Sequence, residues 1–248
     1  MITRALAGAA AATVLLAAPA AAYPVKGVPE LTHNDLYKVG KLPKVACKLE
    51  KGTTKASTVR YLTKLVDCFN KAWKPAVPDY QPVEVEIKDR YESHCHTGVK
   101  ISGSFAAICG TQIEIQLGAD WIKAKNDLPI VIQVADAFAG VVQGQTGIGE
   151  AYWGMPNDAD EKQLEEQSRR FSMQQDCLAG VGVKALGRTA KNWKPLLRAE
   201  TPQPVDEYYR KWFPTKPTAN ELYWFTRGYK TGDPGACNTW KAPEAKVA

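Results

Sequence analysis

A chain of 248 residues and 27.2 kDa, with 45% hydrophobic and 23% charged residues, carries enough apolar material for a substantial core. That balance excludes coiled-coil, collagen-like and wholly disordered architectures. The formal net charge is only +6.

The first 22 residues read as an export signal. Met1-Ile-Thr-Arg4 supplies a positive start, an apolar run follows from Ala5 to Leu16, and Ala20-Ala21-Ala22 offers small residues for cleavage before Tyr23. The run is short, Ala-rich and followed by Pro19, which favours a cleaved signal over a retained anchor. A single Arg4 without a neighbouring Arg points to the general secretory route. No later stretch is apolar enough to span a bilayer, so no transmembrane segment is expected after cleavage.

Residues 23–55 form a basic N-terminal arm, punctuated by Pro, Lys and Gly and without a clear period, expected to lie extended over the body. Removing Arg4 takes the 32 basic residues to 31, against 26 acidic ones. Lys38, Lys41, Lys44, Lys48, Lys51, Lys55, Arg60 and Lys64 nevertheless sit together with only Glu50 among them. Two readings stand for this run: a solvated face, or a patch for anionic envelope polymers such as wall polymers or lipid headgroups. Nucleic acid is not an expected partner for an exported chain.

Val59, Leu62, Val66, Phe69 and Trp73 recur at helical steps, with Ser57 or Thr58 as N-cap and Pro75 as the stop. Val83, Val85 and Ile87, and then Ile113, Ile115 and Leu117, alternate with polar residues and predict two half-exposed strands. A buried helix is expected over 127–146, stopped at Gly147-Ile-Gly149. A second begins near Asp158 or Asp160 and runs to about Leu186-Gly187, with its acids early and Arg169 and Arg170 later, as the helix dipole favours. The last sixty residues are rich in aromatics, including Trp193, Tyr208, Tyr209, Trp212, Trp224, Phe225 and Trp240, and prolines divide short helices there. Such rings either pack on the core or present stacking platforms for sugars.

Cys47, Cys68, Cys95, Cys109, Cys177 and Cys237 all follow the signal. An even count in an exported chain implies disulfides, with the pairing left open by sequence order. No C-x-x-C spacing suggests a thiolate metal site. His94 and His96 flank Cys95, and His33 lies in the arm; none has an identifiable partner ligand. No Gly-x-Ser-x-Gly elbow is present, and Asp136, Glu150 and Asp176 are too dispersed to be read as a glycosidase pair.

A set of segments resembles the neutral zinc metallopeptidase family of secreted bacterial proteins: Cys68-Phe-Asn-Lys-Ala-Trp73, Cys109-Gly-Thr-Gln-Ile-Glu-Ile-Gln-Leu117, Val134-Ala-Asp-Ala-Phe-Ala-Gly-Val-Val-Gln143, Gln174-Gln-Asp-Cys-Leu-Ala-Gly180 and Trp224-Phe-Thr-Arg-Gly-Tyr229 with Gly232-Asp-Pro-Gly-Ala-Cys237. Their order and spacing are similar from about Ser57 to Trp240. The resemblance implies an α+β, zincin-like fold over 56–248, with a buried helix pair and a small sheet. It also implies disulfides Cys47–Cys68, Cys95–Cys109 and Cys177–Cys237.

In that family the buried helix carries H-E-x-x-H, two zinc ligands and a general base. Here the ligand positions fall on Asp136 and Gly140 and the base on Ala137. The third ligand falls on Ser172, and a late His falls near Thr215. Gly140 has no side chain and Ala137 cannot accept a proton, so one carboxylate remains where a site needs three ligands. Asp176, which would orient a zinc-bound His, is expected to survive without that client. The expectation is a secreted, catalytically degenerate member without zinc, holding a peptide, protein or wall ligand. The alternative is an active zinc-dependent peptidase with unrecognised ligands.

Overall fold

In the computed structural model, residues 28–89, 100–156, 160–199, 203–204, 207 and 215–248 are described. The signal at 1–22, His94, Cys95, His96, Tyr208, Tyr209 and Trp212 lie outside these residues.

The arm is less extended than its composition suggests. It begins with a short helix α1 (Pro29–Thr32), entered through a proline that needs no N–H partner there, and a 3-10 turn over Asp35–Lys38 capped by Asn34. Leu31 and Leu36 are fully buried in the common core. The backbone is stitched down farther along, where Leu42 N donates to Gly232 O and Val45 N to Ala185 O, both at 2.9 Å.

Helix α2 (Lys55–Trp73) starts earlier than its apolar stripe. Thr54, rather than Ser57 or Thr58, is the N-cap: its hydroxyl accepts from Ser57 N, and Ser57 Oγ accepts from Thr54 N in return. Tyr61, Leu62, Leu65, Val66, Phe69 and Trp73 turn inward, and Cys68 binds Cys47 of the arm in a disulfide.

The chain then forms β1 (Glu84–Lys88), the short β2 (Ile101–Ser102), β3 (Phe105–Cys109) and β4 (Gln112–Gln116). The sheet order is β1-β4-β3, with β1 parallel and β3 antiparallel to β4. β1 is half-exposed as its alternation predicts, but β4 is not. It is the central strand, and even Glu114 on its polar face is buried, with Gln112 Nε2 3.3 Å and Lys88 Nζ 4.0 Å from it. Alternation reports one covered face; it does not register a second face closed by neighbouring side chains.

After a short α3 (Ala119–Lys123) come the central helix α4 (Leu128–Gln145), α5 (Ile148–Trp153), the long α6 (Glu161–Ala185) and α7 (Ala219–Thr231). A two-residue strand β5 (Gln203–Pro204) pairs with β2 between the last two helices. The glycines after α4 stop it as expected, since Gly147 has φ +76°, yet the helix restarts at once as α5. Asp160 caps α6 through Gln163 N. Helix α4 is buried nearly all round, between the sheet and α6. None of the described helices is long and apolar enough to cross a membrane.

The packing of α6 on α7 is the most extensive in the molecule. Two glycines permit it: a Cβ at Gly180 would collide with Phe225 O, and one at Gly228 with Cys177 O. Cys177–Cys237 closes the same junction covalently. Cys109 is also disulfide-bonded; the Cys95–Cys109 pairing lies outside the described residues. Gly228→Ala is therefore expected to destabilise by about 1–3 kcal/mol through overpacking, although Ala is the better helix former. Gly144→Ala, where a Cβ meets nothing within 4 Å, should instead gain up to about 1 kcal/mol. Urea unfolding midpoints check both, and a gain at 228 would mean that the two helices separate cheaply.

Candidate functional site

Helix α4 runs antiparallel to α6 across the resemblance segments, and polar side chains bridge them. Gln175 Nε2 donates to Asp136 O at 3.0 Å and to Asp136 Oδ2 at 3.2 Å. One level down, Gln143 Nε2 donates to Phe171 O at 3.1 Å and to Gln174 Oε1 at 2.9 Å. Gln174 in turn donates to the Tyr37 hydroxyl at 2.6 Å, fastening the arm. Burial pushes the Tyr37 phenol well above its usual range, so it stays a neutral hydrogen-bonding group.

Asp136 and Gly140 lie one turn apart on α4, both half-buried and both against Gln175. Ala137 is buried in the core. Ser172 is exposed on α6, so it does not join them in an enclosed pocket. Thr215 is exposed as well. Two residues that no local pattern singles out converge on Asp136 and Asp176: Arg198, from the segment after α6, and Glu221 in the first turn of α7. Arg198 Nη2 donates to both Asp176 oxygens at 3.2 and 3.3 Å and to Glu221 Oε1 at 2.7 Å. Asp176 is therefore paired with a guanidinium.

Arg198 holds its position in an unfavourable backbone conformation. Its φ of +66° lies in the left-handed region, which costs an L residue about 1–2 kcal/mol. The guanidinium borders a small cavity of about 40 Å³, enough for a water molecule or two, also lined by Gln133, Asp136 and Asp176. Arg198 Nε and Gln133 Oε1, on two of the residues that line it, are buried without a hydrogen-bond partner among the described residues.

One cation faces three carboxyl groups here. Burial raises the Asp176 carboxyl well above its usual value, Arg198 opposes that shift, and Asp136 and Glu221 reinforce it. Asp136 is raised too, mainly by burial and against Arg198 and the Gln175 hydrogen bond. Burial also works against the Glu221 carboxylate, but Arg198 and the hydrogen bonds at Thr218 outweigh it, and Glu221 falls below its usual value. Asp176 first, then Asp136 and Glu221, raise the Arg198 guanidinium beyond its already high range.

These residues do not suit zinc. Of the positions that the resemblance points to, only Asp136 carries a carboxylate, Gly140 and Ala137 offer no ligand atom, Ser172 faces solvent, and Arg198 brings a fixed positive charge against Asp136. Among the described residues no three His, Cys, Asp or Glu side chains are grouped to hold a metal. His94 and His96 lie outside those residues.

Of the described C-terminal aromatics, Trp193, Trp224, Phe225 and Trp240 are buried. Among the described residues the most exposed Trp is Trp153, at 74%, at the end of α5. It meets Tyr152 edge-on at 4.8 Å, and Tyr152 stacks on Phe171 at 4.3 Å.

Compared with known proteins, the chain matches no family model, no curated protein and no solved structure.

Two outcomes follow from the charge cluster. Arg198→Met removes the ion-pair partner of the buried Asp176 and of Glu221 and is expected to cost about 3 kcal/mol at neutral pH, read from denaturant midpoints. The raised Asp176 and Asp136 bind protons in the folded state that the unfolded chain has released above about pH 4. Their contribution to stability is thus complete below that pH and is lost as pH rises through the raised native values. Asp176→Asn should flatten the decline in stability as pH rises above about 4, and an unchanged slope would show that Asp176 does not titrate there.

Proposed function

We propose that the chain is an exported, non-catalytic protein of zincin-like descent that acts by binding at the cell envelope. The observation that carries the reading is Arg198: the carboxylates beside the degenerate positions are satisfied by the protein's own cation, held through two helices and a strained backbone. A guanidinium remains charged and cannot act as a Lewis acid toward a bound water, so it stabilises this cluster without supplying hydrolytic chemistry. Buried Ala137 leaves no group to take a proton where the family keeps its general base. The scaffold, with its disulfides Cys47–Cys68 and Cys177–Cys237, then serves to present a surface.

The natural protein, purified without chelators, is expected to carry no stoichiometric zinc by elemental analysis and to leave peptide substrates uncut. One zinc per chain together with chelator-sensitive hydrolysis overturns the reading. A restoration series tests the role given to Arg198. Asp136→His and Gly140→His together place two imidazoles one turn apart on the face of α4 that meets Gln175, with Ile108 having to rotate away from position 140. Adding Arg198→Ala to this set should raise zinc uptake, because it removes a competing positive charge. Equal uptake with and without Arg198 would show that the guanidinium does not compete for that place.

A further inference from the structure

The basic run of the arm is not uniform once folded. Lys38 pairs with Asp35 at 2.7 Å and Lys55 with Asp89 at 2.5 Å. Lys51 turns inward, where its ammonium donates to Gly52 O at 3.2 Å and to Ile122 O and Ala124 O at 3.0 Å each. Lys41 and Lys44 line a separate hollow beside Lys184. Lys48, Arg60 and Lys64 instead converge on one groove, joined by Lys71 from beyond the run, with Asp67 as the sole carboxylate among its lining residues.

That groove is about 930 Å³ in volume, bounded by the arm at Ala46–Lys48 and by α2, and the Cys47–Cys68 disulfide holds its two walls together. On α2 the residues Arg60, Lys64, Asp67 and Lys71 recur at steps of four, three and four and so share one exposed face, roughly 16 Å long. Among the described residues, none of the four cations is engaged in an ion pair or hydrogen bond. Arg60 and Lys64 are like charges one turn apart, a pairing that costs a helix a few tenths of a kcal/mol unless an anion relieves it.

We infer that this groove is a binding site for a linear polyanion, a flexible chain of phosphate or carboxylate charges laid along α2 between Arg60 and Lys71 and held from the other side by Lys48. The inference rests on the proposed binding role and names its ligand class. A row of cations inside a groove meets successive charges of one strand, whereas a flat anionic membrane cannot follow its floor. The cations are mostly lysines, point charges on flexible stems that tolerate irregular anion spacing, in keeping with a polymer recognised by charge density.

Long-chain inorganic polyphosphate is the probe, with fluorescence anisotropy of labelled polymer as the readout. The natural protein should bind it, with the logarithm of the binding constant falling against the logarithm of salt concentration at a slope of about −3, as for four contacts with a flexible strand. Changing Lys48, Arg60, Lys64 and Lys71 together to Gln should weaken binding more than tenfold at low salt. A charge-matched control, Lys162, Lys191, Lys194 and Lys230 to Gln, all exposed and elsewhere on the protein, should change it less than threefold. Circular dichroism on both variants verifies that the fold is kept. Equal loss in both overturns the inference in favour of net charge alone. No binding by the natural protein, binding of pyrophosphate as tight as polymer, or binding to phosphatidylglycerol vesicles without polymer binding overturns it too. Zinc-dependent hydrolysis would sink the parent reading instead, and the two failures stay separate because polymer binding is measured without any activity.

Discussion

The approach of α6 and α7 to backbone contact is the constraint on which the rest of the molecule depends. Two absent side chains, at Gly180 and Gly228, allow one helix to lie directly on the carbonyls of the other. The Cys177–Cys237 disulfide closes the same junction and restricts the unfolded chain, a contribution that grows with loop length. Helix α6 also carries the contacts that tie in other parts of the chain. Its Gln174 fastens the arm through Tyr37, and its buried Arg170 pairs with Glu166 at 2.6 Å and donates to the C-terminal carbonyls of Thr239 and Ala242. Its Asp176 is brought within reach of the same guanidinium as Glu221 at the start of α7.

The resulting charge cluster has the costs of a functional site. Three carboxyl groups and one guanidinium share a largely enclosed space, two of the acids are held above their usual pKa, and the arginine sits in a left-handed conformation. Buried ion pairs are weak contributors to stability compared with apolar packing of the same volume, but removing one member leaves the others exposed to the full penalty of burial. Such an arrangement is hard to dismantle one residue at a time. That property explains why Asp176, Arg198 and Glu221 can stand together despite the cost of burying them.

Lysines within one short segment meet opposite fates for reasons of packing. The ammonium of Lys51 is lowered in pKa mainly by burial, yet three carbonyl oxygens receive it, so it works as a rivet between the arm and the end of α3. Lys48, three residues earlier, lies exposed in a groove among other cations. Composition treats the two alike, and the disulfide at Cys47 helps to separate them by pinning the arm against α2 at that point.

Local patterns in the sequence determined the mixed α and β composition, the apolar stripe of α2, the span of the buried α4 and the acid-first start of α6, because each is set by periodicity and capping within a few neighbouring residues. That Gly140 and Ala137 offer no ligand or proton acceptor was also legible, since their side chains lack that chemistry in any fold. Tertiary structure alone decided the rest. Glu114 is buried because β4 lies between two strands, and Ser172 faces solvent because of how α6 is rolled against α4. Arg198 could not have been found from spacing: it lies 22 residues from Asp176 and 23 from Glu221, on a segment with no period of its own. The groove at Lys48 needed the fold as well, since its fourth cation, Lys71, falls outside the basic run. A charge acquires its partners from every element that folds around it, and those contacts are separated in sequence by distances that no local pattern records.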